Sequence, residues 1–132
     1  MRLLLDTHAW LWWIASPERL GPGTMRLLQA DEHDIFFSAA SGWEIAIKYT
    51  LKKLPLPDTP DRFIPSRLER DALKPLSILM RHALIAGALP PHHQDPFDRL
   101  LIAQAQVEDL ALVTADPAMK LYDGFHLQWA SE

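Results

Sequence analysis

Short apolar runs alternate with longer amphipathic stretches along this chain of 132 residues. The short runs predict β-strands at residues 2–5, 35–37, 76–78, 112–114 and 126–129. The amphipathic stretches predict helices at residues 7–15, 24–30, 42–51, 61–71, 79–87 and 96–109. Strands that alternate with helices favour an α/β fold of three layers, in which a mostly parallel sheet of four to five strands has helices on both faces.

Three segments add detail to this prediction. Proline clusters at residues 54–65, which predicts a surface loop between two helices. Helix 96–109 is apolar around most of its circumference, and only Arg99 and Gln106 share a polar side, so we expect it to lie between the sheet and another element. Helix 42–51 carries Glu44 beside a predicted core-facing stripe. That stripe consists of Trp43, Ala46, Ile47, Thr50 and Leu51.

The composition is that of a globular protein, with 48% hydrophobic and 23% charged residues. We expect residues 1–132 to form one domain. No apolar run approaches the roughly 20 residues of a membrane span, and Asp6 follows the first apolar run too soon for a secretory signal. These features predict a cytoplasmic protein without a membrane partner.

Cysteine content and net charge limit the chemistry. The chain has no cysteine, which excludes disulfides and thiolate zinc sites, so any metal ion must bind to oxygen or imidazole. The formal net charge of −4 argues against nucleic-acid binding through a broad basic surface. It does not exclude a nuclease, because divalent cations neutralise an acidic pocket and attract phosphate.

Four acids stand at or just beyond predicted strand-to-helix junctions: Asp6, Glu44, Asp98 and Asp116. If the sheet is parallel, the carboxyl ends of its strands share one edge, where ligands bind in such folds. The four acids, which come from four separated segments, are therefore expected to converge.

Helix capping is the alternative explanation for these acids. Ser41 and Glu44 have the spacing of a capping box, and Asp95 and Asp116 each precede a proline at a possible first helical position. A cap contributes only about 1 kcal/mol. Two charges 4 Å apart repel by about 4 kcal/mol at an effective dielectric of 20, so a cluster of four needs a cation.

The donor set predicts the kind of cation. Oxygen ligands without cysteine favour Mg²⁺ or Mn²⁺ over zinc. One or two such ions suit phosphoryl chemistry, since they bind the scissile phosphate and lower the pKa of an attacking water.

Four segments resemble PIN-domain ribonucleases, and in particular the VapC-like toxins of type II toxin–antitoxin pairs. They are LLLDTHAWLWW, SAASGWEIAIKYTLKKLPLP, QDPFDRLLIAQA and LVTADPAMKLY. The resemblance covers most of the chain and is weakest at residues 58–74. It implies a PIN-like fold and a Mg²⁺- or Mn²⁺-dependent endoribonuclease that uses a metal-activated water and leaves a 5′-phosphate and a 3′-hydroxyl. It also implies a homodimer held inactive by a cognate antitoxin protein.

The resemblance also implies residue roles. It identifies Asp6, Glu44, Asp98 and Asp116 as the catalytic, metal-binding quartet. Thr114 and Thr7 are expected to orient a ligand or water. Asp95 is expected to cap its helix at the periphery of the pocket, while Asp98 points inward.

Other polar residues have two interpretations each. His93 and its neighbour His92 are either contacts for substrate or metal, or parts of an exposed linker. Lys48 is either a contact for the RNA backbone or an i, i+4 ion-pair partner of Glu44. Arg99 lies either at the pocket rim, as a substrate contact, or next to a surface acid.

The first predicted helix is apolar around almost its whole circumference. Trp10, Trp12 and Trp13 are therefore candidates both for the core and for a surface that binds the antitoxin or a second copy of the chain.

Two other functions are compatible with an acidic pocket. A receiver-like signalling domain binds Mg²⁺ but needs a phosphoacceptor aspartate at a central strand and a lysine after the last strand, which the predicted strands lack. A catalytically silent module would use its acids as caps and its tryptophans for a partner.

Overall fold

The structure is a computed structural model that describes residues 1–132. Five strands form one sheet: β1 (Arg2–Leu5), β2 (Asp34–Ser38), β3 (Lys74–Leu76), β4 (Ala111–Thr114) and β5 (Leu127–Trp129). Six helices connect them: α1 (Thr7–Ala15), α2 (Pro22–Gln29), α3 (Ala39–Thr50), α4 (Pro60–Arg70), α5 (Met80–Ala88) and α6 (Pro96–Glu108). Two 3-10 turns lie at Pro17–Arg19 and Pro117–Leu121.

The sheet has the order β3-β2-β1-β4-β5, and all four neighbouring pairs are parallel. Every strand therefore ends at the same edge, and β1 lies at the centre with β2 and β4 beside it. This arrangement confirms the predicted α/β fold. It also argues against a receiver-like domain, whose parallel sheet has the order 2-1-3-4-5.

Alternate residues of β1 face opposite layers, as the two-residue period of a strand requires. Leu3 and Leu5 join the larger core cluster, which includes Trp10 of α1 and Leu68 of α4. Leu4 joins a second cluster with residues of α6. The two clusters lie on opposite faces of the sheet, so the molecule has three layers.

Helix α6 is buried on most sides, as its composition predicted. Leu101, Ile102 and Ala105 belong to the cluster on the sheet, and α5 packs on α6 from outside. Gln104 is fully buried in α6 and accepts a 2.6 Å hydrogen bond from the Ser38 hydroxyl at the end of β2. This bond connects the helix that carries Asp98 to the edge of the sheet at which the strands end.

Several element boundaries differ from the prediction, and two of the differences involve proline. Strand β3 occupies Lys74–Leu76 rather than residues 76–78, because Pro75 pairs with Phe37 in an edge strand, where a missing N–H is tolerated. Helix α4 starts at Pro60, so the predicted loop at 54–65 ends sooner. Pro65 lies inside this helix on its exposed side.

The predicted core-facing stripe of α3 is wrong. Trp43 is 59% exposed and Leu51 is 57% exposed. The buried side of the helix carries Ala40, Ser41, Glu44 and Ile45. The helix is thus rotated so that an acid, rather than the tryptophan, faces the interior.

None of the six helices combines the length and the apolar character that crossing a membrane requires.

Candidate metal centre

Two acids of the predicted quartet, Asp6 and Asp116, follow the central strands. Asp6 comes directly after β1, and Asp116 comes two residues after the end of β4. Thr114 is the last residue of β4, and its hydroxyl donates a 2.6 Å hydrogen bond to Oδ2 of Asp6. The same hydroxyl accepts a 3.1 Å bond from the backbone N–H of Asp116. Thr114 therefore links the two acids.

Asp98 lies in the first turn of α6, and Asp95 caps that helix. The Asp95 carboxylate accepts hydrogen bonds from the backbone N–H groups of Phe97 and Asp98, at 2.9 and 3.3 Å. The cap predicted for Asp95 is thus present. The cap bonds use Oδ1 of Asp95, and the carboxylate of Asp98 takes no part in them.

Glu44 projects from the buried side of α3. Its Oε2 accepts a 2.8 Å hydrogen bond from the Lys48 ammonium one turn later. Lys48 therefore forms the i, i+4 ion pair with Glu44 that was one of the two interpretations of this lysine. This contact raises the pKa of Lys48, with further contributions from the charges of Asp95 and Asp98. The lysine therefore stays charged at the edge of the acidic cluster.

Asp98 is buried and lies close enough to the other acids to be affected by their charges. Burial raises the pKa of Asp98 to about 8, and the charges of Asp6, Asp95, Glu44 and Asp116 add to the rise. Burial also raises the pKa of Asp6, against the opposing effect of the Thr114 hydrogen bond. Burial and neighbouring negative charge thus both disfavour the ionised form of Asp98.

Two buried oxygens in this cluster lack hydrogen-bond partners. They are Oδ1 of Asp6 and Oε1 of Glu44, and the two residues are 2% and 3% exposed. A buried carboxylate oxygen without a donor is unfavourable unless a cation binds it. The residues therefore fit a divalent ion that prefers oxygen ligands.

His93 is in direct contact with the cluster. Its Nε2 lies 2.8 Å from Oδ2 of Asp116 and 3.0 Å from Oδ2 of Asp98. The ligand atoms of these three residues all lie within 4.8 Å of one another. The neighbouring His92 is exposed and packs edge-on against Tyr122. Of the two histidines, only His93 reaches the acids.

Two polar residues predicted near the site have contacts inside the fold. Thr7 donates a 2.8 Å hydrogen bond to Ser41, which ties α1 to α3. Arg99 pairs with no acid but donates to the backbone carbonyls of four residues: Gly87, Leu89, Pro90 and His93. The guanidinium is thus occupied in fixing residues 87–93, and a substrate-binding role for Arg99 has no support in these contacts.

The three tryptophans of α1 differ in burial. Trp10 is 0% exposed and packs on Phe37, with ring centroids 4.8 Å apart, so the predicted partner-binding role is wrong for Trp10. Trp12 and Trp13 are half-buried. Trp12 lines a pocket of about 230 Å³ together with Asp6, His8, Ala115 and Asp116. Its ring is covered on one side by Arg19, 4.2 Å from the ring centroid.

Ser41 was considered only as a helix cap, which is wrong because α3 begins at Ala39 with Ser38 as its cap, and Gln104 was not singled out from the sequence. Both are fully buried polar residues whose partners, Thr7 and Ser38, are distant along the chain. No local pattern marks such residues.

Comparison with known proteins identifies the family. The profile described as PIN domain matches residues 3–124. Ribonuclease VapC22 of Mycobacterium tuberculosis (strain ATCC 25618 / H37Rv) is 31% identical over 121 residues, which cover 89% of each chain. Ribonuclease VapC16 of the same strain is 42% identical over 59 residues, which cover 45% of this chain and only 42% of that relative.

The fold is also similar to that of a toxin–antitoxin complex from Klebsiella pneumoniae, with a TM-score of 0.66 at 16% sequence identity over 98% of each chain. The crystal structure of VapBC2 from Rickettsia felis, bound to a DNA fragment from its promoter, superimposes with a TM-score of 0.72 at 19% sequence identity. The match covers 97% of this chain and 98% of that one. The family profile, the curated ribonucleases and the fold agree with the resemblance seen in the sequence, and the chain belongs to the PIN-domain family.

Proposed function

We propose that this chain is a divalent-metal-dependent endoribonuclease that acts as the toxin of a toxin–antitoxin pair. The observation that carries the metal dependence is the buried acidic cluster. Asp98 has a pKa raised to about 8, and Oδ1 of Asp6 is buried without a partner. Such a cluster is electrostatically unfavourable until a cation neutralises it.

Each acid has a proposed part in the site. Asp6, Asp98 and Asp116 hold Mg²⁺ or Mn²⁺, and Glu44 completes the cluster as a ligand of one or two ions. Thr114 orients Asp6 through its 2.6 Å hydrogen bond. When bound, the ion neutralises the scissile phosphodiester and lowers the pKa of the attacking water.

Lys48 and His93 are the proposed contacts for the RNA, because each lies beside an acid of the cluster. The Lys48 side chain is 40% exposed, so one part of it remains open to a phosphate while its ammonium contacts Glu44. The curated relatives named ribonuclease VapC support RNA as the substrate.

A cognate antitoxin and a second copy of the chain are the proposed protein partners. The solved VapBC2 complex supports the antitoxin. Large apolar side chains on α3, directly after it and on α5 are exposed, which supports association with another chain. They include Trp43, Leu51, Met80 and Leu84. Within such an assembly, residues 1–132 are proposed to act as one PIN-domain unit in the cytoplasm.

RNA cleavage by the purified chain tests the activity. We expect cutting in Mg²⁺ or Mn²⁺, none in EDTA, and 5′-phosphate ends on the products. Asp6→Asn and Asp98→Asn should abolish cutting. Asp34→Asn should not, because Asp34 pairs with Lys74 at the opposite end of β2. Equal cutting by all three variants would contradict the proposal.

Calorimetry separates this enzyme from a catalytically silent binding module. The enzyme should take up Mg²⁺ or Mn²⁺ at millimolar concentrations, whereas a silent module should bind a protein partner and no divalent ion. For the toxin role, we expect expression to arrest growth in a bacterial host. Co-expression of the small reading frame adjacent to the gene should restore growth.

A further inference from the structure

His93 is held at three points before it reaches the acids. Its backbone N–H donates a 2.8 Å hydrogen bond to the Tyr122 hydroxyl, which in turn donates to the carbonyl of Pro90 at 2.6 Å. Its carbonyl accepts a 3.1 Å bond from Arg99. Its ring Nδ1 accepts a 3.2 Å bond from the backbone N–H of Asp95. The position and the orientation of the ring are therefore both fixed.

The bond to Nδ1 determines where the ring proton lies. A neutral imidazole has one nitrogen that donates and one that accepts. Because Nδ1 of His93 accepts from the Asp95 N–H, the proton must be on Nε2. Nε2 is thus a donor, and it points at the two acids.

The Nε2–H group donates a hydrogen bond to Asp116 and also lies within ion-pair distance of Asp98. Oδ2 of Asp116 and Oδ2 of Asp98 lie 2.8 and 3.0 Å from Nε2 of His93. These acids come from α6 and from the end of β4, so the histidine connects two separate segments of the site. It holds two oxygens that would otherwise repel each other.

We propose that His93 is a positioning residue of the metal centre, one that keeps its Nε2 proton and aligns Asp98 and Asp116 without coordinating the ion. The inference rests on the proposed function, since it assumes that a divalent cation binds the acids. Metal-binding carboxylates commonly depend on such outer hydrogen bonds, whose removal lowers metal affinity by roughly 10- to 100-fold.

Direct coordination by Nε2 is the alternative that the geometry disfavours. It would require the ring proton to move to Nδ1, where it would face the N–H of Asp95, itself a donor. With His93 outside the coordination shell, the ion has only oxygen ligands from the chain. That donor set favours Mg²⁺ or Mn²⁺ over Zn²⁺.

Long-range ¹⁵N–¹H NMR of the full chain tests the proton position without any substitution. We expect His93 to show a protonated Nε2 and an unprotonated Nδ1, both before and after Mg²⁺ is added to saturation. Loss of the Nε2 proton on Mg²⁺ binding would identify His93 as a ligand and overturn the proposal. The His93 resonances are assigned by their absence in His93→Gln.

Calorimetric titration with Mg²⁺ and Mn²⁺ tests the alignment. His93→Leu should weaken both affinities by about 10- to 100-fold. His93→Gln, whose amide N–H reaches a similar position, should recover part of the loss. His92→Leu is the matched control and should bind as the wild type does, since His92 does not contact the acids.

Two results would overturn the inference while the proposed function stands: unchanged ion affinity in His93→Leu, or tighter binding, which would mean that the ring competes with the ion. A wild-type chain that binds neither ion would overturn the inference and the metal-dependent function together. A general loss of folding in His93→Leu would appear in its circular dichroism, and the NMR result on the wild type does not depend on it.

Discussion

The Thr114 hydroxyl donates a 2.6 Å hydrogen bond to Oδ2 of Asp6 and so joins the ends of two neighbouring strands. The register pairs Leu5 with Val113, so Asp6 and Thr114 are the next residues along β1 and β4. The bond lowers the pKa of Asp6 while burial raises it. It therefore favours the ionised form that a cation needs.

Thr114→Val keeps the shape of the side chain but removes this donor. We expect the affinity for Mg²⁺ to fall about tenfold or more, because the Asp6 carboxylate loses an orienting bond and ionises less readily. Isothermal titration calorimetry at pH 7 measures the effect.

Thr24→Val is the matched control. Thr24 is also fully buried and donates to the carbonyl of Trp129, outside the acidic cluster. It should lose stability by about 1 kcal/mol and retain Mg²⁺ binding. Equal Mg²⁺ affinities for wild type and Thr114→Val would argue against the orienting role.

The stability of the metal-free protein should decrease as the pH rises from 5 to 8. The pKa of Asp98 is raised from 3.8 to about 8, so the folded chain binds more protons than the unfolded chain in this range. The free energy of unfolding therefore falls with increasing pH. The raised pKa of Asp6 acts in the same direction. Thermal unfolding in EDTA at several pH values measures the trend.

Asp98→Asn should flatten this pH dependence and raise the melting temperature of the metal-free protein at pH 8. Asp34→Asn is the control, because the pKa of Asp34 is lowered by Lys74 and its effect on stability is confined to more acidic conditions. The prediction fails if the slope between pH 5 and 8 is the same in wild type and Asp98→Asn.

Trp10 and Trp43 should differ in their effect on stability. Trp10→Ala removes a fully buried ring and should cost about 3–5 kcal/mol. Trp43→Ala removes an exposed ring whose aromatic contact is the edge of Phe97, and it should cost at most about 1.5 kcal/mol. Urea unfolding compares the two variants. Similar losses for both would mean that α3 is rotated differently.

Arg99→Gln should destabilise the segment that carries His93. The guanidinium donates to four backbone carbonyls of residues 87–93, and we expect a loss of about 2–3 kcal/mol. Arg62→Gln is the control, since Arg62 makes an exposed ion pair with Asp58 that contributes less than about 1 kcal/mol. Hydrogen exchange should increase at residues 87–93 in Arg99→Gln alone.

Much of the fold follows from local patterns. The buried run Leu3–Leu5 predicted the central strand, and helix 96–109 matched its observed ends to within one residue. Because parallel strands end at one edge, the acids that follow β1 and β4 were expected to meet. In the structure, burial raises the pKa of Asp98, and the charges of Asp6 and Asp116 add to the rise.

Other features depend on contacts that no local pattern encodes. The edge strand β3 was misplaced because its pairing with β2 decides its register and Pro75 obscured it. His93 contacts Asp116, which is 23 residues away. Arg99 and Tyr122 hold the segment that ends at His93 in place for this contact. The buried side of helix α3 was predicted incorrectly because hydropathy favours a buried tryptophan and an exposed glutamate, whereas Trp43 is exposed and Glu44 is buried.

Helix α3 also has an evolutionary consequence. A lineage of this chain freed from selection for RNA cleavage would tolerate an apolar residue at Glu44, which removes a buried charge with an unsatisfied oxygen. The outward Trp43 would then be free to become polar. Inactive descendants should therefore drift towards an ordinary amphipathic helix and melt at higher temperatures than their active ancestors, as expected when activity and stability compete.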